Sequence, residues 1–240
     1  MKFYMNRAVA IVGMLLFGAT PASASLIFTL DQASTLGAGN YGTVTVSQVT
    51  TNVVHVAVNL ASGVGFVNTG LEPFTFTLAS GIPTITSASF SNLTTGFSLN
   101  PTSPLSNDGA GDFQYGLLCT TAVCGNGGNS PFAGPLAFDL TATGLLETSF
   151  VSNSTLDTLH HTNPGAFFAV DICTSFPATT GPGCAGSTGV TYTTTGSSSS
   201  SGGGESSGGG NIPEPGTLAL LGLGLLGAAA MGGRRVARAA

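Results

Sequence analysis

Val54-His55-Val56-Ala57-Val58-Asn59-Leu60 places a large apolar side chain at every second position. Successive side chains of an extended chain point to opposite faces, so Val54, Val56, Val58 and Leu60 line one side of a strand and His55 and Asn59 the other. The same rhythm recurs in Thr43-Val44-Thr45-Val46, Phe74-Thr75-Phe76-Thr77-Leu78, Leu136-Ala137-Phe138-Asp139-Leu140 and Ala166-Phe167-Phe168-Ala169-Val170-Asp171. β-Branched and aromatic residues suit a pleated surface, and alternation implies one covered face and one wet face. Turn signals separate the runs: Ala38-Gly39-Asn40, Ser62-Gly63, Gly81-Ile82-Pro83 and Asn163-Pro164-Gly165. No stretch of the body shows an apolar 3.6-residue period bounded by caps. The strongest helical candidate, Thr155 to His161, is short and stops before Asn163-Pro164. Many short strands without intervening helices predict an all-β domain over residues 25–192, a single antiparallel β-sandwich with a jelly-roll-like course. No clear internal repeat is visible.

The charge map is lopsided. All five basic residues lie at the ends: Lys2 and Arg7 in front, Arg234, Arg235 and Arg238 behind. Between Ala8 and Gly233 the chain has no Lys or Arg, yet that interval carries all ten acids. Phosphate neutralisation needs Lys or Arg, so the map argues against a nucleic-acid partner. The body also has no Lys or Arg ion pairs to draw on, which leaves apolar burial, backbone hydrogen bonds and disulfides to stabilise it. Lys and Arg hold segments on the cytoplasmic side of a membrane, so a body without them crosses readily.

Residues 1–24 read as a secretory signal peptide. Lys2 and Arg7 form a positive front, Ala8 to Gly18 an apolar run of eleven residues, and Ala22-Ser23-Ala24 a small-residue cleavage site. Cleavage there starts the mature chain at Ser25. Eleven apolar residues are too few to span about 30 Å of hydrocarbon as an uncleaved anchor. Residues 193–211 are Ser/Gly-rich, and nothing in them suits a core; they read as a disordered, flexible linker. Its stretch from Ser197 to Gly210 would span about 20 Å on average. Residues 212–240 then combine Pro213-Glu214-Pro215, an uncharged apolar run that defines one C-terminal transmembrane helix over 217–233, and a basic tail at 234–240 holding Arg234, Arg235 and Arg238. The run from Thr217 to Met231 makes about 22 Å of helix, short against a bilayer of about 30 Å, as suits a temporary anchor or a poor permanent one. The arginines stay cytoplasmic and place Pro213-Glu214-Pro215 outside. Two prolines hold that motif extended, and Glu214 offers one charge for a recognition groove to read.

This ordered set at the C-terminus, behind a signal peptide, resembles the PEP-CTERM sorting signal of bacterial exported proteins. The resemblance implies recognition of Pro213, Glu214 and Pro215 by an exosortase, a membrane-embedded sorting enzyme, followed by removal of the tail. It also implies a Gram-negative, exopolysaccharide-producing host, with signal peptidase and the Sec translocon as further partners. The expected route runs through the inner membrane as a sorting intermediate to the cell surface or extracellular matrix.

Four cysteines, Cys119, Cys124, Cys173 and Cys184, follow the signal peptide, and an even number in an exported chain favours disulfides. Three connectivities are open. The local pairs Cys119–Cys124 and Cys173–Cys184 come first, since each brackets a turn-rich loop. A four-thiolate metal site is the alternative, but the spacings do not match paired C-x2-C. His160-His161 is the only adjacent histidine pair, and adjacent residues on a strand point apart. Asn107, Asp108 and Asp112 sit in a Gly-rich loop that would offer oxygen ligands to Ca²⁺, although Asp and Gly are also ordinary turn residues. No other cofactor is expected.

Residues 25–192 hold no G-x-S-x-G, and no H-E-x-x-H occurs anywhere in the chain. The leading expectation is therefore a non-enzymatic surface or matrix protein associated with extracellular polysaccharide. A carbohydrate-binding module is the second reading, and its weak point is aromatic supply: no Trp, and only Tyr41, Tyr115 and Tyr192 outside the signal peptide. A secreted hydrolase using Asp108, Asp112, Asp139 or Glu147 is the third.

Overall fold

A computed structural model describes residues 24–33, 35–70, 72–107, 109–124, 129–156, 164–176 and 183–200. In chain order the strands are β1 (Ala24–Thr29), β2 (Gln32–Ala33), β3 (Gly42–Thr50), β4 (Val53–Leu60), β5 (Val64–Phe66), β6 (Phe74–Phe76), β7 (Phe90–Ser91) and β8 (Phe97–Leu99). There follow β9 (Leu105–Asn107), β10 (Gly111–Phe113), β11 (Tyr115–Cys119), β12 (Leu136–Thr141), β13 (Phe168–Thr174), β14 (Thr188–Thr193) and β15 (Gly196–Ser200). Helix among the described residues is confined to one α-turn, α1 (Thr121–Cys124), and three short 3₁₀ turns. The helical candidate at Thr155 contributes only the end of a 3₁₀ turn, Asn153–Thr155, and its residues 157–161 lie outside the described part.

Two antiparallel sheets face each other. Sheet A has the order β15-β1-β3-β4-β12-β7, and sheet B the order β2-β14-β13-β6-β11-β8, with β5 also paired to β13. The alternation in β4 sets sheet A. Val54, Val56 and Val58 are fully buried, and each lies beside a buried partner on β12: Leu140, Phe138 and Leu136 respectively. Val46 and Val44 continue the rows onto β3, and Phe28 extends one of them to β1. From sheet B, Phe74, Phe76, Phe168, Val170, Ile172 and Leu117 close the same core. The layers meet through rings: Phe28 meets Phe168 edge-on at 4.9 Å, and Phe138 meets Phe74 at 6.0 Å. Edge-to-face pairs add about 0.5–1.5 kcal/mol beyond the area they bury.

The expectation of one wet face holds for sheet A and is corrected for sheet B. All three residues of β6 and Phe168 through Cys173 of β13 are buried, so both faces of this sheet are covered. The cover is the β9–β10 hairpin with the segment around Asn153. Leu105 on β9 sits directly over Gly116 of β11, where a Cβ would lie 2.6 Å from Leu105 Cδ1. Glycine there lets the hairpin approach. Ala110, Phe113, Ala166, Ala169 and Val190 form a second small apolar cluster, with Tyr192 packed against it. Buried polar groups knit the layers: Asn107 Nδ2 donates to Thr75 Oγ1 (2.9 Å), and Asn153 Nδ2 donates to the Ala110 carbonyl (2.6 Å).

β5 and β6 lie end to end along β13, and Asp171 faces the break between them. Val67 N donates to the Asp171 carbonyl, and Asp171 N to that of Pro73. The fully buried Asp171 side chain accepts from Thr69 N (3.1 Å) and Thr69 Oγ1 (2.6 Å), which pins the intervening loop.

The expected linker is corrected at its front. β14 runs to Thr193, and Gly196–Ser200 form β15, antiparallel to β1 with Ala24 opposite Ser200. Glycine and serine have little strand preference of their own; the paired edge of β1 supplies the order. Residues 201–211 of the linker lie outside the described part, as does the expected membrane span at 217–233. Among the described residues no helix is long and apolar enough to cross a membrane.

Candidate functional site

On the open face of sheet A the alternation that buries the valines of β4 turns His55 outward. The pairing of β4 with β12 places Asp139 directly opposite, and β3 places Ser47 on its other side. His55 Nδ1 lies 2.6 Å from Asp139 Oδ1, and Asn92 Nδ2 donates to Asp139 Oδ2 at 2.6 Å. Asn92 reaches this position from a left-handed backbone (φ 53°) just after β7. A carboxylate only accepts, so Nδ1 carries the proton and Nε2 faces outward. Burial alone would push the Asp139 carboxyl up. Hydrogen bonds from His55 and Asn92, with the charge of the imidazole, outweigh it and hold the group below the ordinary carboxylate range. This is the one ion pair formed between described residues.

Ser47, His55 and Asp139 thus lie in one row across three strands. No hydrogen bond joins Ser47 to His55, and the row sits on a flat sheet face. Nucleophilic catalysis needs that bond and a donor pocket for the developing oxyanion. As built, the row is a polar surface patch whose imidazole is oriented by its carboxylate.

A cleft lies on the sheet B side, where the chain leaves β6, the β9–β10 hairpin and the Asn153 turn. Its main cavity is about 580 Å³, and Leu78, Phe113, Val151 and Leu156 give it an apolar lining. Asp112, Gln114, Ser80, Ser103 and Thr155 add polar groups. A smaller cavity of about 280 Å³ shares Ser103 and Gln114 and continues along Asn100 and Thr102.

Asp112 belongs to the loop read as a calcium candidate. Asn107 pairs with Gly111 and Asp112 with Ser106, so their side chains leave opposite faces of the hairpin. Asn107 is turned to Thr75 inside the fold, whereas Asp112 faces the cleft. Asp108 lies outside the described residues. Among those described, no three His, Cys, Asp or Glu side chains converge on one point. The acids named for hydrolysis are dispersed: Asp112 in the cleft, Asp139 on the open face of sheet A, Glu147 in a 3₁₀ turn.

Both disulfides form the local pairs, Cys119–Cys124 and Cys173–Cys184. Each is anchored on sheet B, through β11 and β13. The tyrosines are not a sugar platform. Tyr41 and Tyr115 are buried, with the Tyr41 hydroxyl held by the carbonyls of Leu36 and Gly37, and Tyr192 is half-covered. No Phe or Tyr among the described residues is exposed.

Ser25 pairs with Ser47 inside β1, so the expected mature N-terminus begins within the first strand. Ala24 opens that strand, and Ala22 lies outside the described residues. So do Asp157, His160, His161, Pro213, Glu214, Pro215, Arg234, Arg235 and Arg238. Sequence reading missed the His55–Asp139–Asn92 patch and the cleft. The patch needs the register of strands 84 residues apart, which no local pattern carries.

No curated protein and no solved structure gives a significant match to the chain. The family profile of the PEP-CTERM protein-sorting motif matches residues 211–235, the stretch that holds Pro213-Glu214-Pro215 and the apolar run. After a sandwich stapled by two disulfides, the chain thus carries a PEP-CTERM protein-sorting motif at residues 211–235.

Proposed function

We propose that this exported, exosortase-sorted protein is a non-enzymatic component of the cell surface or extracellular matrix, associated with exopolysaccharide through its β-sandwich. The observation that carries the reading is the sorting motif at residues 211–235. The charge map supports it: the body has no Lys or Arg, and the signal peptide and Arg tail frame it for export through the Sec translocon with an inner-membrane intermediate. The open face of sheet A supports it as well. Thr43, Thr45, Ser47, His55 and Asn59 present hydroxyl, imidazole and amide groups of the kind that exchange hydrogen bonds with polyols. A stacking-type carbohydrate module is disfavoured by the buried tyrosines.

Fractionation of producing cells tests both parts. Replacing Pro213, Glu214 and Pro215 together by Ala is expected to retain the unprocessed chain in the membrane fraction, while the unaltered protein is shortened at its C-terminus and co-sediments with matrix polysaccharide. Identical size and location of the two forms would reject the sorting role. A correctly processed protein that never sediments with polysaccharide would reject the matrix association.

A further inference from the structure

We infer that the cleft beside Asp112 binds an amino-sugar unit of a polysaccharide, with the free amine as the determinant; this rests on the polysaccharide association proposed above. Size comes first: about 580 Å³, beside a second cavity of about 280 Å³ that shares Ser103 and Gln114, falls in the usual range for small-ligand pockets and leaves room for more than one sugar unit. The lining comes next. Leu78, Val151 and Leu156 match the C–H faces of a pyranose ring. Ser103 and Gln114, which belong to both cavities, stand where hydroxyls of successive units would pass.

Charge decides the ligand. Asp112 is only 6% exposed and lines the main cavity. No Lys or Arg occurs from Ala8 to Gly233, so uronates, sulfates and phosphates meet no ammonium or guanidinium in the body. What selects the ligand is the sign of the Asp112 charge, not a vacancy on it. An ammonium group beside this carboxylate gains a charge-assisted hydrogen bond, roughly twice as strong as a neutral one. With no exposed Phe or Tyr ring among the described residues, that bond is the main source of discrimination. A lysine-rich peptide shares the ammonium but not the hydroxyls, and the hydroxyl and amide groups along both cavities favour the sugar.

The test uses the mature protein recovered intact from producing cells and isothermal titration with four probes: a fully deacetylated glucosamine tetramer, its N-acetylated counterpart, a uronate tetramer and tetralysine. The deacetylated tetramer is expected to bind at least about tenfold more tightly than the acetylated one, with no heat from the uronate. Asp112→Asn is expected to lose about tenfold for the deacetylated tetramer and little for the acetylated one. Ser103→Trp, at the exposed rim and clear of the core, is expected to block binding whether or not the Asp112 variant folds. Equal binding of both glucosamine tetramers, preference for tetralysine, unchanged binding by Ser103→Trp, or no binding by the unaltered protein each overturns the inference. Co-sedimentation with matrix polysaccharide is run in parallel. If the protein sediments but ignores the tetramers, the cleft inference alone fails; if it binds the deacetylated tetramer but never sediments, the matrix association fails and the cleft stands.

Discussion

The two sheets of this sandwich solve the same burial problem in different ways. Sheet A keeps its outer face in water: its alternating strands put valine inward and Thr45, His55 and Asn59 outward. Sheet B is covered on both faces, and Thr75, Asp171 and Thr191 are buried on strands whose polar residues would suit a wet face. Alternation alone is sufficient for the first arrangement. The second also needs a partner for each polar group it hides, which Asn107, Thr69 and the Gln32 carbonyl supply to Thr75, Asp171 and Thr191. Sheet B further holds both disulfides, so covalent and polar restraints are concentrated on one layer. Sheet A depends mainly on the apolar interface and on backbone pairing, with the His55–Asp139–Asn92 patch added on its open face.

That contrast can be broken most strongly at the disulfide of the central strand. Cys173→Ala with Cys184→Ala opens a loop with a sequence separation of 11, and the chain-entropy model gives a loss of about 3 kcal/mol. Urea denaturation followed by tyrosine fluorescence should show the lower midpoint; an unchanged midpoint would mean the staple adds nothing to sheet B.

A matched pair of substitutions sharpens the comparison. Thr75→Val on sheet B removes the acceptor of the buried Asn107 amide and is expected to cost about 1–3 kcal/mol. Thr45→Val occupies the corresponding outward position on sheet A and is expected to stay within about 0.5 kcal/mol. Equal losses would show that the faces are not differently covered.

The smallest effect belongs to the sheet A patch. The folded Asp139 carboxyl lies below its ordinary value, so the stability it contributes is present above the unfolded carboxylate range, near pH 3.9, and is lost as pH falls through the lower folded value. The gap in denaturation midpoint between the unaltered protein and Asp139→Asn should be open at pH 5 and close below about pH 4. A gap that persists at the acid end would place the cost of the substitution in packing rather than charge.

What was legible in the chain divides along the same line. β3, β4 and β12 could be read from alternation because their environment is two-sided. In β13, Asp171 reads as a solvent-facing residue, and only the loop folded over it explains its burial. The disulfides were legible because short loops close at small entropic cost. β15 was not: a run of serines has no pattern, and its strand state comes from β1, some 170 positions away in sequence. The His55 patch and the cleft were hidden for the same reason. Their members meet only after distant strands have found their register.

The pairing of Ala24 with Ser200 has a mechanical consequence. Force applied to the chain at Ser200 enters β15 at the end of its ladder and loads its backbone bonds one rung at a time, as a zipper is opened, rather than all together in shear. β15 contributes little apolar grip, so it yields before the valine-lined strands beside it. Its five residues then swing free as a tether of about 17 Å while the rest of the sandwich stays closed. A body held in a viscous matrix and pulled from its tail would thus have a built-in shock absorber at the point where the load arrives.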